Sequence, residues 1–337
     1  MDVMEAVILS TPDKKAKYDA VLKQLIANKQ ILARIMKRFV LEFENCSLKD
    51  IEEKYILSGE ISVSKVGVQK NTTNQMVESI GTEDKSNNEG NITYDIMFMA
   101  EYPGEQGKLI KLYINLEIQN KYHPGYPLEK RGIFYASRRL CSQLLKIDKN
   151  TDYGQLLKVY SIWLCMGDDV SDENAETVTS YGFEKKDVIG KVNVPRENYD
   201  LMDIIIIRIN DEAEIEDETL RLLQTLCSNR LEKREKIEKI KQFGICSNEM
   251  EGGIDEMCNL SESIFRGGRQ EGRQEGTILA NIRIICNMKK DGMPSSNIAK
   301  YVETENVDAI INAAEGNFST DDANIAQIYR KLCDANA

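Results

Sequence analysis

The chain has 337 residues, 42% of them hydrophobic and 29% charged, with a formal net charge of −11. This is the composition of a soluble globular protein of one large or two modest domains. The longest apolar runs, such as residues 204–207, fall far short of a membrane span. The eight cysteines are scattered, with no Cys-x-x-Cys pair, and His123 is the only histidine. A structural zinc site needs about four clustered Cys or His ligands, so reduced, mostly buried thiols are the expectation. A Ser-His-Asp or Cys-His mechanism would have to use His123, which lies in the turn-like segment HPGYP. Any hydrolysis is therefore expected to rely on carboxylates and a metal. The N-terminal segment MDVMEAVILS carries two acids and no basic run. It does not read as a secretory leader, and a cytoplasmic location is the expectation.

Residues 17–44 carry apolar side chains on a 3.6-residue period, from Leu22 and Leu25 through Ile35 and Met36 to Phe43, and predict one long amphipathic helix. Ser47 then opens a short second helix, with Asp50 completing a capping box. ISVSKVGV (61–68) reads as a strand, the polar stretch 70–90 as a loop, and ITYDIMFMA (92–100) as the next strand. EYPGEQGK is a turn, punctuated by Pro103, Gly104 and Gly107. KLYINLEIQ (111–119) alternates strictly: Leu112, Ile114, Leu116 and Ile118 share one face, and Lys111, Tyr113, Asn115, Glu117 and Gln119 the other. The apolar face is expected to pack against a helix and the polar face to carry the chemistry.

Pro127 suits the first turn of a helix reaching about Lys146. Arg131, Tyr135 and Arg138 fall on one of its faces. LLKVYSIWLCM (156–166) and MDIIIIRI (202–209) read as interior strands, separated by an acidic, irregular stretch. Beyond residue 215 the chain turns helical and charge-laced. GGRQEGRQEG then repeats glycine every four residues at 268, 272 and 276, as a linker or a helix-pairing stripe would. Ile278–Lys290, the turn DGMP and Ser295–Val302 outline a small helical module that resembles a helix-turn-helix but lacks clustered basic residues. Packing or oligomerisation is its expected role. The implied division is 1–215, 216–266, a 267–277 linker and 278–337.

Phosphodiester hydrolysis needs divalent ions beside the scissile phosphate. Mg²⁺ takes hard oxygen ligands and keeps several waters. The minimal protein contribution is two carboxylates on neighbouring strands and a group to orient water. Asp95 and Glu117 sit in predicted strands joined by a turn. Glu117 and Gln119 lie on one strand face, about 6.8 Å apart. The carbonyl of Ile118 between them is a further oxygen. Residues 101–150 hold nine Lys or Arg against five Asp or Glu, while residues 151–200 hold five against ten. The candidate site is thus locally basic within an acidic chain, and distribution matters more than the sum for DNA binding.

Several segments together resemble the recombination-promoting nuclease and transposase family, a bacterial PD-(D/E)XK group. They are YDIMF (94–98), INLEIQ (114–119), GYPLEKRGIFYASR (125–138), VYSIWLCM (159–166), ENYDL (197–201), EMCNLSE (256–262) and the repetitive GRQEG tail. The likeness covers roughly residues 15–300 and is most specific from EIQ to YPLEKRG. It implies a restriction-endonuclease-like α/β core, with a central mixed sheet flanked by helices, and a helical C-terminal region. It also implies Mg²⁺- or Mn²⁺-dependent cleavage of DNA, linked to recombination or mobile elements.

By the same resemblance Asp95 is the central metal ligand, Glu117 the second, and Gln119 stands where the superfamily has lysine. Glutamine donates a hydrogen bond but no charge, so Lys111 or Lys121 would have to supply it. An acid from the first helical region, Glu42 or Glu44, is a further candidate. Arg131, Tyr135, Lys121 and Arg138 are candidate substrate contacts, guanidinium being suited to phosphate. The expected partners are DNA and a second copy through the C-terminal helices, with no membrane. The competing reading is a catalytically degenerate fold that binds DNA or protein without cutting.

Overall fold

The computed structural model describes residues 11–57, 61–63, 83–86, 89–104, 109–119, 121–144, 152–167, 169–302 and 307–334. It divides into two compact units, Met1–Ser261 and Glu262–Ala337. No helix of the described residues is long and apolar enough to cross a membrane.

The first unit begins with two helices where one was expected: α1 (Thr11–Ile26) and α2 (Lys29–Phe39). Asn28 causes the break. Its side chain accepts the N–H of Gln30 at 2.9 Å, and this N-cap bond competes with helix continuation. A short 3₁₀ turn (Leu41–Phe43) follows, then α3 (Leu48–Asp50), which a π turn (Ile51–Tyr55) continues. Ser47 caps α3 as expected, accepting the Asp50 N–H at 3.1 Å and donating to the Asp50 carboxylate at 2.7 Å.

Six strands form a mixed sheet in the order β1 (Ser62–Val63), β4 (Ile96–Pro103), β5 (Leu109–Gln119), β6 (Lys158–Met166), β8 (Met202–Ile209) and β7 (Thr177–Gly182). The central run β5–β6–β8 is parallel, and antiparallel strands flank it on both sides. A separate hairpin, β2 (Glu83–Ser86) with β3 (Glu89–Thr93), occupies part of the stretch expected to be loop. Residues 64–82, which hold the rest of that stretch and most of the strand expected at 61–68, lie outside the described residues.

Period-two patterning sends alternate side chains of each central strand to opposite faces. On one face Leu112, Ile114, Leu116 and Ile118 join Ile162, Leu164, Ile205 and Ile207. The same core takes in Leu22, Leu25 and Ile26 of α1 and Ile31, Leu32, Ile35 and Met36 of α2. The other face carries Val159, Trp163, Cys165, Ile204 and Ile206 and is covered by α4 (Leu128–Leu144) through Leu128 and Ala136. Each such aliphatic side chain contributes about 1.5–3 kcal/mol on burial. Helix α4 comes close because Gly132 has no side chain. A Cβ there would lie 2.6 Å from Cγ2 of Ile204 and 3.0 Å from Nε1 of Trp163.

Helices α5 (Glu218–Cys227) and α6 (Lys233–Gln242) complete the first unit with the start of α7 (Asn248–Lys290). Residues 267–277 are part of this 43-residue helix, not an irregular linker. The Arg, Gln and Glu between the glycines are good helix formers and offset a glycine penalty of roughly 1 kcal/mol each. In the second unit α8 (Ser295–Ile298), α9 (Val307–Ala314) and α10 (Asp322–Asp334) share a core with the end of α7. That core is built on Ile282, Ile285, Ile298, Ile310, Ile325 and Ile328.

Candidate functional site

The strand expected over 92–100 is interrupted. β3 ends at Thr93 and β4 begins at Ile96, leaving Tyr94 and Asp95 in a break between them. The break frees the Asp95 backbone from the ladder and turns it toward β5. The antiparallel register pairs Ile96 with Leu116, so Asp95 comes to lie beside Glu117. The Asp95 N–H donates to Oε1 of Glu117 at 3.2 Å, and Oδ2 of Asp95 accepts the Ile118 N–H at 2.9 Å. The two acids are thus fastened to each other's strand.

Glu117 is only 2% exposed, and Asn115, two residues back on the same face, 1%. The polar face of β5 is therefore closed to solvent at Asn115 and Glu117, while Lys111 on the same face is exposed and Gln119 half-buried. Burial first, and then the negative charge of Asp95, push the Glu117 carboxyl up to about 8. The Asp95 N–H, the Asn115 amide and Arg131 oppose that rise. Oδ1 of Asn115 is buried with no hydrogen-bond donor among the described residues.

Lys23 of α1, which sequence reading missed, reaches this pair. Its Nζ lies 2.8 Å from Oδ1 of Asp95 and 2.5 Å from Oδ2 of Asp19 one turn earlier. Burial works against its charge, but the hydrogen bonds to Asp19 and Asp95 outweigh it and hold its pKa above the ordinary lysine value. The spacing Asp19-x-x-x-Lys23 on a helix was legible; its meeting with Asp95, 72 positions away in the chain, was not.

Of the two lysines expected to supply the missing charge, Lys111 lies away from the pair. Lys111 pairs with Glu101 at 3.5 Å, six residues from Glu117 along β5 and so roughly 20 Å away. Lys121 is exposed just past the end of β5. Gln119 is half-buried on the same face as Glu117, and its side chain makes no hydrogen bond to the described residues. Glu42 does not join the site. It accepts the Tyr160 hydroxyl at 2.5 Å and pairs with Lys158 at 3.2 Å. Lys158 also holds Asp200 at 2.9 Å and Asp203 at 3.2 Å. Tyr160 belongs to the core on the sheet face opposite Trp163, the register partner of Glu117. Glu44 is exposed; its carboxylate accepts the neighbouring Asn45 amide and its backbone carbonyl the Lys37 ammonium at 3.4 Å. It lines a cavity of about 670 Å³ with Tyr160, Arg196, Asp200 and Asp203.

On α4, Arg131 donates to the hydroxyls of Tyr126 and of Tyr135, the latter at 2.9 Å. Its guanidinium stacks 5.1–5.3 Å from the rings of Tyr126, Tyr135 and Trp163. Tyr135 is wedged edge-on between Tyr94 and Trp163. Arg138 is half-buried about two turns further along. The loop before α4 is pinned by Asp169, whose carboxylate accepts the N–H groups of Tyr122 at 2.8 Å and His123 at 2.7 Å. His123 is thus held by its backbone, with its side chain exposed.

Among the described residues no three His, Cys, Asp or Glu side chains converge as a metal cage. The donors present do fit a hard divalent cation that keeps most of its waters. They are the buried Glu117 carboxyl, the half-buried Asp95 carboxylate and the Asn115 side-chain oxygen, and Glu117 is charged only against burial and the repulsion of Asp95. No protein-family model, curated protein or solved structure matches the chain.

Proposed function

We propose that the chain is a metal-dependent endodeoxyribonuclease of the PD-(D/E)XK type. The observation that carries this reading is the Asp95–Glu117 pair. The buried Glu117 of β5 and the half-buried Asp95, just before β4, lie side by side, Glu117 accepting the Asp95 N–H and Asp95 the Ile118 N–H. Burying like charges side by side is unfavourable unless a cation offsets them, and an arrangement kept at that cost points to function.

In this reading Asp95 and Glu117, with Asn115 beside them, hold Mg²⁺ or Mn²⁺. When bound, the ion polarises the scissile phosphate and makes water a better nucleophile. Gln119 orients water through its amide. Lys23 supplies the positive charge that Gln119 lacks, anchored by Asp19 so that it stays beside Asp95. Arg131 is turned toward the Glu117 side of α4, where its charge reaches Glu117. Its stacked guanidinium is preorganised to clamp a phosphate. A cytoplasmic enzyme acting on DNA, in recombination or at mobile elements, is the accompanying proposal.

The test is nicking of supercoiled plasmid in Mg²⁺ or Mn²⁺ by the wild type, Asp95→Ala and Glu117→Ala. Each substitution is expected to reduce the rate about 100-fold or more, the effect of losing several kcal/mol of charge stabilisation, and EDTA to stop the wild type. Equal behaviour of all three proteins would sink the assignment. One observation favours the rival reading, a fold that binds without cutting: Lys23 already neutralises Asp95. That reading takes over if the wild type binds DNA and no metal brings turnover.

A further inference from the structure

We propose that Arg208 is an anion-holding residue that receives a second phosphate of the nucleic-acid strand, beside the one at Asp95 and Glu117. The inference rests on the nuclease reading and names how that site would grip its substrate.

The register places Gln119 of β5 opposite Cys165 of β6, and Cys165 opposite Arg208 of β8. Residues in one such row point to the same side of a sheet. Arg208 therefore belongs to the face of Glu117 and Gln119. Its backbone is two strand spacings from Gln119, about 10 Å, a distance a neighbouring phosphate of one strand can bridge.

Arg208 is 5% exposed. Its Nη1 donates to the Thr179 hydroxyl of β7 at 3.0 Å, and its guanidinium lies 5.0 Å from the centre of the Tyr122 ring. Its Nε is buried without an acceptor among the described residues. No carboxylate of the described residues lies within ion-pair distance of it.

Two other buried cations of the first unit are held differently, Lys23 by two carboxylates and Lys236 by the carbonyls of Leu226 and Ser228 at 3.0 and 2.7 Å; the half-buried Lys158 meets three carboxylates, and the buried Arg139 stacks 4.1 Å from the centre of the Tyr113 ring. A buried charge without a counter-ion is unfavourable, because lost hydration is not replaced. A hydroxyl and an aromatic face recover part of that. An incoming anion would recover the rest, and the planar fork of a guanidinium matches phosphate oxygens two at a time. Tyr122, whose ring faces Arg208, sits in the loop that Asp169 pins between β5 and α4. The same loop therefore lies over Arg208 and leads on to Arg131.

The experiment measures binding of a fluorescently labelled duplex oligonucleotide by anisotropy, across a salt series. The full chain carries Asp95→Ala, so that cleavage cannot interfere. Arg208→Gln is expected to weaken binding about tenfold and to reduce the slope of log K against log salt by about one phosphate contact. Arg208→Lys should keep the slope and lose several-fold in affinity, because the charge remains and the fork does not. Folding of each variant is checked by circular dichroism. If Arg208→Gln does not fold, Arg208→Lys decides, and unchanged affinity overturns the proposal.

Inorganic phosphate in a thermal-shift titration separates the two sources of this chemistry. Arg208-dependent stabilisation by phosphate, with oligonucleotide binding independent of Arg208, would make this a free-phosphate site and overturn the strand assignment. Failure of the parent to bind any oligonucleotide would overturn the proposal and the nuclease reading together. Arg208-dependent binding by a chain that never cuts would overturn hydrolysis alone.

Discussion

At the scale of single residues, the site is governed by how three titratable groups, Glu117, Asp95 and Lys23, share one space. Glu117 keeps its proton up to about pH 8 in the folded chain, but in the unfolded chain loses it near 4.5. Folding therefore takes up a proton between those values. Stability falls as pH rises through that window and stays lowered above it, by an amount on the order of a few kcal/mol. Glu117→Gln, which cannot ionise, is expected to melt higher than the wild type at pH 8.5 in EDTA and nearly equal to it at pH 5. A shift of the same size at both pH values would mean that ionisation of Glu117 is not what strains the site. Lys23→Met should act in the opposite direction. It leaves Asp19 and Asp95 without their counter-ion, and breaking such a buried pair costs about 3–5 kcal/mol. Chemical denaturation at pH 7 measures it, and a loss below 1 kcal/mol would show that Lys23 is dispensable to the folded state.

At the scale of elements, the site depends on two irregularities and one close contact. The break at Tyr94–Asp95 turns an ordinary strand residue into a partner of the next strand's backbone. The cap at Asn28 ends one helix and starts another, so that Lys23 lies on a short helix of its own. Gly132 lets α4 settle onto Trp163 and Ile204, which brings Arg131 and Tyr135 over the sheet face that holds Glu117. Gly132→Val should lift α4 from the sheet, at about 1–3 kcal/mol for overpacking. If Arg131 is a phosphate clamp, nicking should fall more than stability does, and residual activity should show a higher KM. Unchanged kinetics in a folded Gly132→Val protein would separate α4 from substrate binding.

At the scale of the whole molecule, the two units have separate hydrophobic cores, one on Leu112, Ile162 and Ile205 and one on Ile282, Ile285 and Ile325. A large-to-small change in the second core should be felt there first. Ile285→Ala is expected to cost about 2–5 kcal/mol and to reduce hydrogen-exchange protection in α9 and α10 while that of β5, β6 and β8 is unchanged. Loss of protection in both units together would show one cooperative fold. The distribution of charge belongs to this scale as well. Of the basic residues over 101–150, Lys111 lies in β5 and Lys130, Arg131, Arg138 and Arg139 lie in α4, while the chain as a whole carries −11.

Much of this architecture follows from the sequence alone. Strict alternation over 111–119 fixed β5 and its two faces. Unbroken apolar runs marked β6 and β8 as interior strands, because a strand buried on both sides needs no polar face. The pairing of Asp95 with Glu117 was legible because a hairpin brings residues on successive strands together. The tertiary structure decided what depends on contacts distant in the chain. It placed Lys23 rather than Lys111 or Lys121 against Asp95. It sent Glu42 to a different ion-pair network on the opposite sheet face, and it buried Asn115 and Glu117 on the polar face of β5. It also put Arg208 in the row of Gln119. Local pattern reports which face a side chain occupies, since periodicity is a property of one segment. Which charges meet is set by strand order and helix docking, and a single segment carries no record of those.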